Sequence, residues 1–223
     1  MMGRRGVGKT PVGDVDVLLT DLDGVVYRGL EAVRYAVEGL ERAAGSMRVG
    51  YVTNNASRTD AAVARQLSSF GLTVAAGDVV TSPQAAVRLL RDLVPTGAVV
   101  LAVGGDGVVD ELTKAGYRPT RSALDRPAAV VQGFATDIGW KELAEASYAL
   151  QGPEGDEIPW IATNTDWTLP TSRGIAPGNG TLVSAVHSAV GRLPVFAGKP
   201  EAAIFDIARE RFAPQRVLFL GDR

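Results

Sequence analysis

Apolar runs of about five residues alternate along the chain with stretches whose apolar positions recur every three or four residues. The runs at 15–20, 49–53, 99–103, 128–132, 160–163, 195–197 and 217–220 read as strands. Between them the helical period predicts helices over 32–44, 60–69, 83–93, 108–115, 140–150, 181–190 and 201–212. The first of these places Val33, Val37, Leu40 and Ala44 on one face. Near-continuous apolar strands separated by helices are the pattern of βαβ units, whose strands lie parallel and are covered on both faces. The expected fold class is therefore α/β.

Two punctuated zones divide the pattern. Pro95-Thr96-Gly97 stands between a helix and a new strand, and Gly191-Arg192-Leu193-Pro194 does the same further on. Both flanking pieces read as halves of a nucleotide-type fold. Residues 95–193 are therefore expected to be an insertion into a core built from 14–94 and 194–223, behind a tail at 1–13.

Composition mainly removes possibilities. The 223 residues carry 23 Lys+Arg against 25 Asp+Glu, a net charge of -2, so nothing favours nucleic acid or an anionic membrane as partner. Cysteine is absent, which excludes disulfides, thiolate metal sites and cysteine nucleophiles. The single histidine, His187, lies in a helical pattern and is expected at an ordinary surface or half-buried position. No apolar run approaches the ~20 residues that span a bilayer. The start has no apolar segment of a secretion signal, so a cytoplasmic protein is expected.

Four stretches carry chemistry. In LLTDLDGVVYRG, Asp21 and Asp23 follow a strand, one residue apart, where α/β proteins place ligands; two close carboxylates there suit Mg²⁺, or else form only a turn. In VGYVTNNASRTD, Thr53, Asn54 and Asn55 end a strand, and Ser57 and Thr59 stand where a helix begins, an anion site or a polar turn with its cap. In VFAGKPEAAIFDIARERF, Lys199 follows a strand and Pro200 suits a first helical turn; the lysine is either a solvated charge or a partner for a phosphoryl group and a carboxylate. RVLFLGDR ends another strand in Gly221-Asp222.

In this order, the four stretches resemble the DxDG, hhhTN, GKP and GD motifs of the haloacid dehalogenase superfamily of phosphotransferases. The wording DLDGVVYRG, VTNNASR, PGNGTLVSAV and AGKPEAAIF is similar to its nitrophenylphosphatase-like branch, which also holds pyridoxal-phosphate and glycerol-phosphate phosphatases. The resemblance covers about residues 14–223. It implies a Rossmann-like parallel-sheet core with an inserted α/β cap. It also implies a Mg²⁺-dependent phosphatase of a small phosphorylated metabolite, and a homodimer through the cap as a possible assembly. Asp21 is then the nucleophile, Asp23 the general acid and base, and Lys199 the charge partner. Thr53, Asn54 and Asn55 bind phosphoryl oxygens, and Asp21, Asp23 and Asp222 hold the metal. ATNTDWTLPTSRGIAPGNG resembles the specificity segment, making Asn164, Asp166 and Arg173 candidates to face the substrate, unless Asn164 and Asp166 only stabilise turns. Some pyridoxal-phosphate-cleaving relatives have histidine where Leu169 stands here, which weighs against that substrate; the wording is most similar to glycerol-phosphate phosphatases of the actinobacterial type, so the resemblance implies a polyol phosphate such as glycerol 3-phosphate, with a sugar phosphate, pyridoxal phosphate or a nucleotide as the alternative.

Two features depart from that pattern. Relatives continue beyond GD with a further acidic residue and more strands, so a core incomplete at the C-terminus is expected, with weak or no activity in the chain as given or a non-catalytic phosphate-binding role. GRRGVGKT at residues 3–10 matches the phosphate-loop pattern G-x-x-x-x-G-K-[ST], the mark of an ATPase or kinase. Such a loop needs a strand before it to aim its amides, and only Met1 and Met2 precede Gly3; the expectation is a flexible basic tail. GGDG at 104–107 lacks the third glycine of a dinucleotide fingerprint and reads as a turn.

Overall fold

The computed structural model describes residues 12–152, 158–171 and 173–222; the phosphate-loop match at 3–10 lies outside them. In chain order the elements are β1 (Val17–Thr20), β2 (Tyr27–Arg28), β3 (Glu31–Ala32), α1 (Ala36–Ala44), β4 (Arg48–Thr53), α2 (Asp60–Ser69), β5 (Val79–Thr81), α3 (Ser82–Arg91), β6 (Val99–Val103) and α4 (Asp106–Lys114). They continue with β7 (Arg118–Thr120), β8 (Ala129–Gln132), α5 (Trp140–Gln151), β9 (Trp160–Ala162), β10 (Thr168–Thr171), β11 (Gly174–Pro177), α6 (Asn179–Val190), β12 (Val195–Phe196), α7 (Ala202–Phe212) and β13 (Val217–Leu220).

Two parallel sheets result. The first has the order β13-β1-β4-β5 and the second β12-β9-β8-β6-β7. The chain leaves the first sheet after β5, builds the second, and returns to pair β13 with β1. Strand β12, grouped by sequence with the C-terminal core piece, hydrogen-bonds to β9 of the second sheet.

Period-two alternation sorts the apolar side chains onto the two faces of each sheet. Val17 and Leu19 of β1 face one way, towards Ala85, Leu90 and Ile204 of α3 and α7. Leu18 faces the other way, with Leu40, Val63 and Leu67 of α1 and α2. In the second sheet Val100 and Ala102 of β6 join the first of these clusters, while Leu101 and Val103 pack with Leu150 and Val186 of α5 and α6. One apolar layer, carried by α3 and α7, is thus shared by both sheets.

Local signals set the boundaries. Thr59 caps α2, its hydroxyl accepting from Ala62 N at 3.1 Å, and Asp60 sits in the first turn where the helix dipole favours a carboxylate. The helix expected over 32–44 starts only at Ala36, because Tyr27–Arg28 and Glu31–Ala32 pair as an antiparallel hairpin. Pro200 lies before the α7 cap residue Glu201 rather than in the first turn. Strands β5, β7, β10 and β11 were not expected: β5 has three residues and runs straight into a helix, and the others are short and largely exposed, so no apolar run marks them. His187 is half-buried near the end of α6, with Nδ1 2.9 Å from Arg192 O.

Candidate active site

In the first sheet the strand order reverses about β1, with β4 and β5 on one side and β13 on the other. Such a reversal opens a crevice outside the carboxyl ends of the strands. Asp21 follows β1, Thr53 ends β4, and Asp222 lies two residues beyond β13, so register alone brings three of the expected residues to this crevice. Asp21 N donates to Leu220 O at 2.8 Å, tying the ends of β1 and β13 together. Gly24 has φ 88°, and a Cβ placed there would lie 2.5 Å from Asp222 Oδ2, so the Asp222 carboxylate rests directly on the turn after Asp23.

Lys199 arrives from the other direction, down the connection out of the second sheet. Its ammonium forms an ion pair with Asp21 Oδ1, donates to Val52 O at 3.2 Å, and lies 5.8 Å from the Phe219 ring centroid. Asp21 Oδ1 also accepts from Leu22 N at 2.7 Å, so both described contacts of this carboxylate fall on one oxygen and none is described for Oδ2. The two side chains keep only 19% and 13% of their exposure, which strengthens the pairing relative to a surface pair.

Asp23 has contact with solvent, yet loss of hydration at the crevice, followed by the Asp21 charge, raises its pKa above the ordinary aspartate value. Arg58 and Lys199 act in the opposite direction, and Asp166 adds to the rise. Arg58 donates to Tyr27 Oη at 3.2 Å and also bonds Gln66. Tyr27 is buried, and Gly24 N donates to its carbonyl at 2.9 Å, so Arg58 braces the loop that carries Asp23.

The Thr53–Asn55 segment divides its functions. Thr53 is fully buried, and its Oγ1 accepts from Asn55 N at 3.0 Å. Asn55 Oδ1 accepts from Ser57 N and Oγ at 3.0 and 2.8 Å, an Asx turn that leads into α2. Asn54 is a junction. Its Oδ1 accepts from Lys199 N at 2.8 Å, and its Nδ2 donates to Lys199 O at 3.1 Å. Its carbonyl accepts from Ser82 Oγ at 2.7 Å and from Asn164 Nδ2 at 2.8 Å. Ser82 opens the chain's departure from the first sheet and Lys199 ends its return, so one asparagine fastens both crossings. Gly198 is required at the second crossing: a Cβ there would collide with Thr163 O and lie 2.6 Å from Asn54 Oδ1.

From the second sheet, the loop after β9 brings Asp166 within 3.3 and 3.4 Å of Asn54 Nδ2. Asn164 is buried with its carboxamide engaged, whereas Arg173 lies exposed between β10 and β11 with its backbone N–H donating to Thr171 Oγ1 at 3.2 Å. Asp21, Asp23, Asp222, Thr53, Asn54, Asn55, Lys199, Asn164 and Asp166 therefore share one neighbourhood, and Arg173 makes no described contact with them. Sequence reading had not singled out Ser82, Arg58 or Tyr27. Ser82 was hidden because β5 was not recognised, and Arg58 because nothing in the local pattern shows that its partner is Tyr27. Gly105 and Gly107 of the GGDG stretch lie against the backbone of Ser57 and Arg58, so that turn fits α4 onto the loop after β4.

Two carboxylate groups merit comparison as metal sites. The Asp21 and Asp222 carboxylates with the Asp23 carbonyl offer only hard oxygen donors, and the Asp21 charge that adds to the effect of lost hydration on the Asp23 pKa is of the kind a dication relieves; the set fits Mg²⁺. Asp60, Asp110 and Glu111 also gather carboxylate oxygens within 4.8 Å of one another, but Lys114 Nζ bonds all three at 3.0, 2.7 and 3.1 Å.

Residues 18–118 match the family described as haloacid dehalogenase-like hydrolase. The chain is 43% identical to a D-glycerol 3-phosphate phosphatase of Mycobacterium tuberculosis over 93% of its own length and 57% of that protein's. It is 37% identical to a glycerol-3-phosphate phosphatase of Gallus gallus, over 99% of this chain and 78% of the relative. A solved structure of the mycobacterial glycerol phosphate phosphatase in complex with magnesium superposes with a TM-score of 0.90 at 42% identity, covering 96% of this chain and 64% of that one. A p-nitrophenyl phosphatase from Archaeoglobus fulgidus follows the same fold at a TM-score of 0.79 and 28% identity, over 90% and 75% of the two chains. The chain thus spans less than two thirds of the mycobacterial relative. With the fold, the order of the motifs and the avian relative covered over most of its length all in agreement, the chain belongs to the haloacid dehalogenase-like hydrolases.

Proposed function

We propose that this is a cytoplasmic, Mg²⁺-dependent phosphomonoester hydrolase whose substrate is a small polyol phosphate of the glycerol 3-phosphate class. The observation that carries the reading is the Asp21–Lys199 ion pair at the strand-order reversal, which leaves the second Asp21 oxygen without a described partner. Relatives named as glycerol phosphate phosphatases support the substrate class.

Asp21 Oδ2 attacks phosphorus, forming a P–O bond to the carboxylate as the ester P–O bond breaks. Asp23, whose raised pKa makes it a readier proton donor than an ordinary aspartic acid at a given pH, gives its proton to the departing alkoxide oxygen. Asp23 then takes a proton from the water that attacks the aspartyl-phosphate, and Asp21 and inorganic phosphate are released. Lys199 compensates the charge on Asp21 and on the phosphoryl oxygens, which Thr53 Oγ1 and the backbone amide of Asn54 receive. The Asp21 and Asp222 carboxylates and the Asp23 carbonyl would hold Mg²⁺, which would supply positive charge against the transferring phosphoryl group.

Residues 95–193, extended by β12, serve as a cap over the crevice, and Asp166 accepts hydrogen bonds from substrate hydroxyls. The exposed Trp167, just before β10, and Ile175, within β11, are apolar surface that a cap-to-cap dimer would cover. Among the described residues no helix is long and apolar enough to cross a membrane.

The test is phosphate release from glycerol 3-phosphate with and without Mg²⁺. Asp21→Asn should abolish it, by about a thousandfold or more. Undiminished turnover in that variant would sink the reading.

A further inference from the structure

Asp166 reaches the crevice on a loop whose position is set elsewhere. Residues 164–167 wrap around the first turn of α6. Gly178 N donates to Trp167 O at 2.8 Å, Gly180 N to Asp166 O at 2.9 Å, Thr181 Oγ1 to Trp167 O at 2.7 Å, and Asn179 Nδ2 to Asn164 O at 3.0 Å. Only glycine fits at the positions flanking Asn179: a Cβ on Gly180 would lie 2.6 Å from Thr165 O, and one on Gly178 would collide with Asp166 O. The contacts then continue towards the chemistry. Asn164 Oδ1 accepts from Asp166 N at 3.1 Å, Asn164 Nδ2 donates to Asn54 O, and Asn54 holds the backbone of Lys199 on both sides.

Three asparagines thus form a hydrogen-bonded line from the start of α6 to the lysine that pairs with Asp21. Asn179 and Asn164 are 1% and 3% exposed, so losing a donor there is not compensated by bulk water. This accounts for PGNG in the sequence, a motif that the reaction itself does not use.

We propose that Asn179 and Thr181 are positioning residues for substrate specificity: through Asn164 and Trp167 they hold the loop that presents Asp166 to the hydroxyl groups of the substrate. The proposal rests on the phosphatase reading and on Asp166 facing the substrate. It predicts a discrimination that a generally weakened fold would not give. A polyol phosphate has hydroxyls for Asp166 to accept from, whereas p-nitrophenyl phosphate has none.

Asn179→Ala and the solvent-facing Thr181→Val, made in the full chain, are assayed on glycerol 3-phosphate and on p-nitrophenyl phosphate, with thermal unfolding alongside. Asn179→Ala removes the buried hydrogen bonds to Asn164 O and, at 3.5 Å, to Gln132 O, and should raise KM for glycerol 3-phosphate roughly three- to tenfold, with kcat and the p-nitrophenyl phosphate KM changed by less than about twofold. Thr181→Val should shift the same KM in the same direction by a smaller factor, and its exposed position keeps the test available if Asn179→Ala does not fold. KM values that rise together for both esters, or that do not move in either variant, overturn the proposal while leaving the phosphatase reading intact. A wild-type chain that hydrolyses neither ester removes that reading and this proposal with it.

Discussion

Lys114 and Lys199 both sit among carboxylates, and the comparison shows what separates a self-neutralised cluster from a candidate reaction centre. Lys114 lies on α4 with Asp110 and Glu111 of the same helix and Asp60 of α2, and it bonds all three. Its side chain is 47% exposed, every carboxylate it meets is carried by a helix, and the lysine fills the point where they converge. Lys199 is 13% exposed, reaches a single Asp21 oxygen, and stands at the carboxyl ends of parallel strands, with the carboxylates around it only partly compensated. The first group spends its charge on itself and fastens α4 to α2. The second leaves an oxygen and a carboxyl of raised pKa for something else. Convergence of acids is thus a poor guide to a site; uncompensated charge at a strand-order reversal is the better one.

Replacing each lysine by an isosteric apolar residue should separate the two most sharply. Lys199→Met should lower kcat by about 10²–10³, the loss typical of one oriented charge donor, while the unfolding midpoint moves little. Comparable turnover of glycerol 3-phosphate in variant and wild type would erase the distinction. Gly198→Ala comes next. The added methyl must displace Thr163 O or Asn54 Oδ1, and the shift carries the Lys199 backbone with it. We expect a loss of about 1–3 kcal/mol in chemical denaturation together with a fall in kcat of tenfold or more. If Gly198→Ala unfolds like the wild type and turns over normally, Asn54 does not hold Lys199 in place.

Lys114→Met should act on stability alone. Solvent screening of the half-exposed lysine limits the cost to about 1 kcal/mol, and kcat should stay within about twofold. Its pH dependence follows from Glu111, whose pKa is raised by burial even with Lys114 bonded to it. Without the lysine that pKa rises further. A carboxyl with a raised folded-state pKa keeps its full contribution to stability in acid and loses it as pH rises through the folded value. The variant's deficit, measured by urea denaturation, should therefore be small below the ordinary carboxylate range and full at neutral pH. A deficit that instead grows towards acid would show that Glu111 is not the group left stranded. The smallest effect expected is a partial recovery at neutral pH, by a few tenths of a kcal/mol, when Glu111→Gln is added to Lys114→Met.

Much of this was legible in order along the chain. The strand at 217–220 and the helix at 60–69 were read with the boundaries they have, because an uninterrupted apolar run and a Thr cap before a periodic stretch are local signals. The four motifs named Asp21, Thr53, Lys199 and Asp222 because each ends a strand or follows one within three residues. What was not legible depended on neighbours distant in sequence. Strands β10 and β11 are exposed and carry no apolar run, so only their mutual pairing defines them. Strand β12 looked like a return to the first sheet, but it pairs with β9. Arg58 gave no sign that it would brace Tyr27 across 31 positions. Nothing local showed that the Asn54 side chain would bond Lys199, 145 positions away, and approach Asp166.

The sequence by itself determined the α/β class, the run of βαβ units and the identity of the residues that carry charge to the strand ends, since apolar periodicity and residues that directly follow strands are properties of short windows. Only the tertiary structure decided that β13 would pair with β1 and so bring Asp222 to Asp21, that Asn54 would fasten both crossings between the sheets, and that Lys114 would neutralise its own carboxylates while Lys199 would not. Those outcomes depend on which distant surfaces meet and on how much water remains between them, and no local window contains that information.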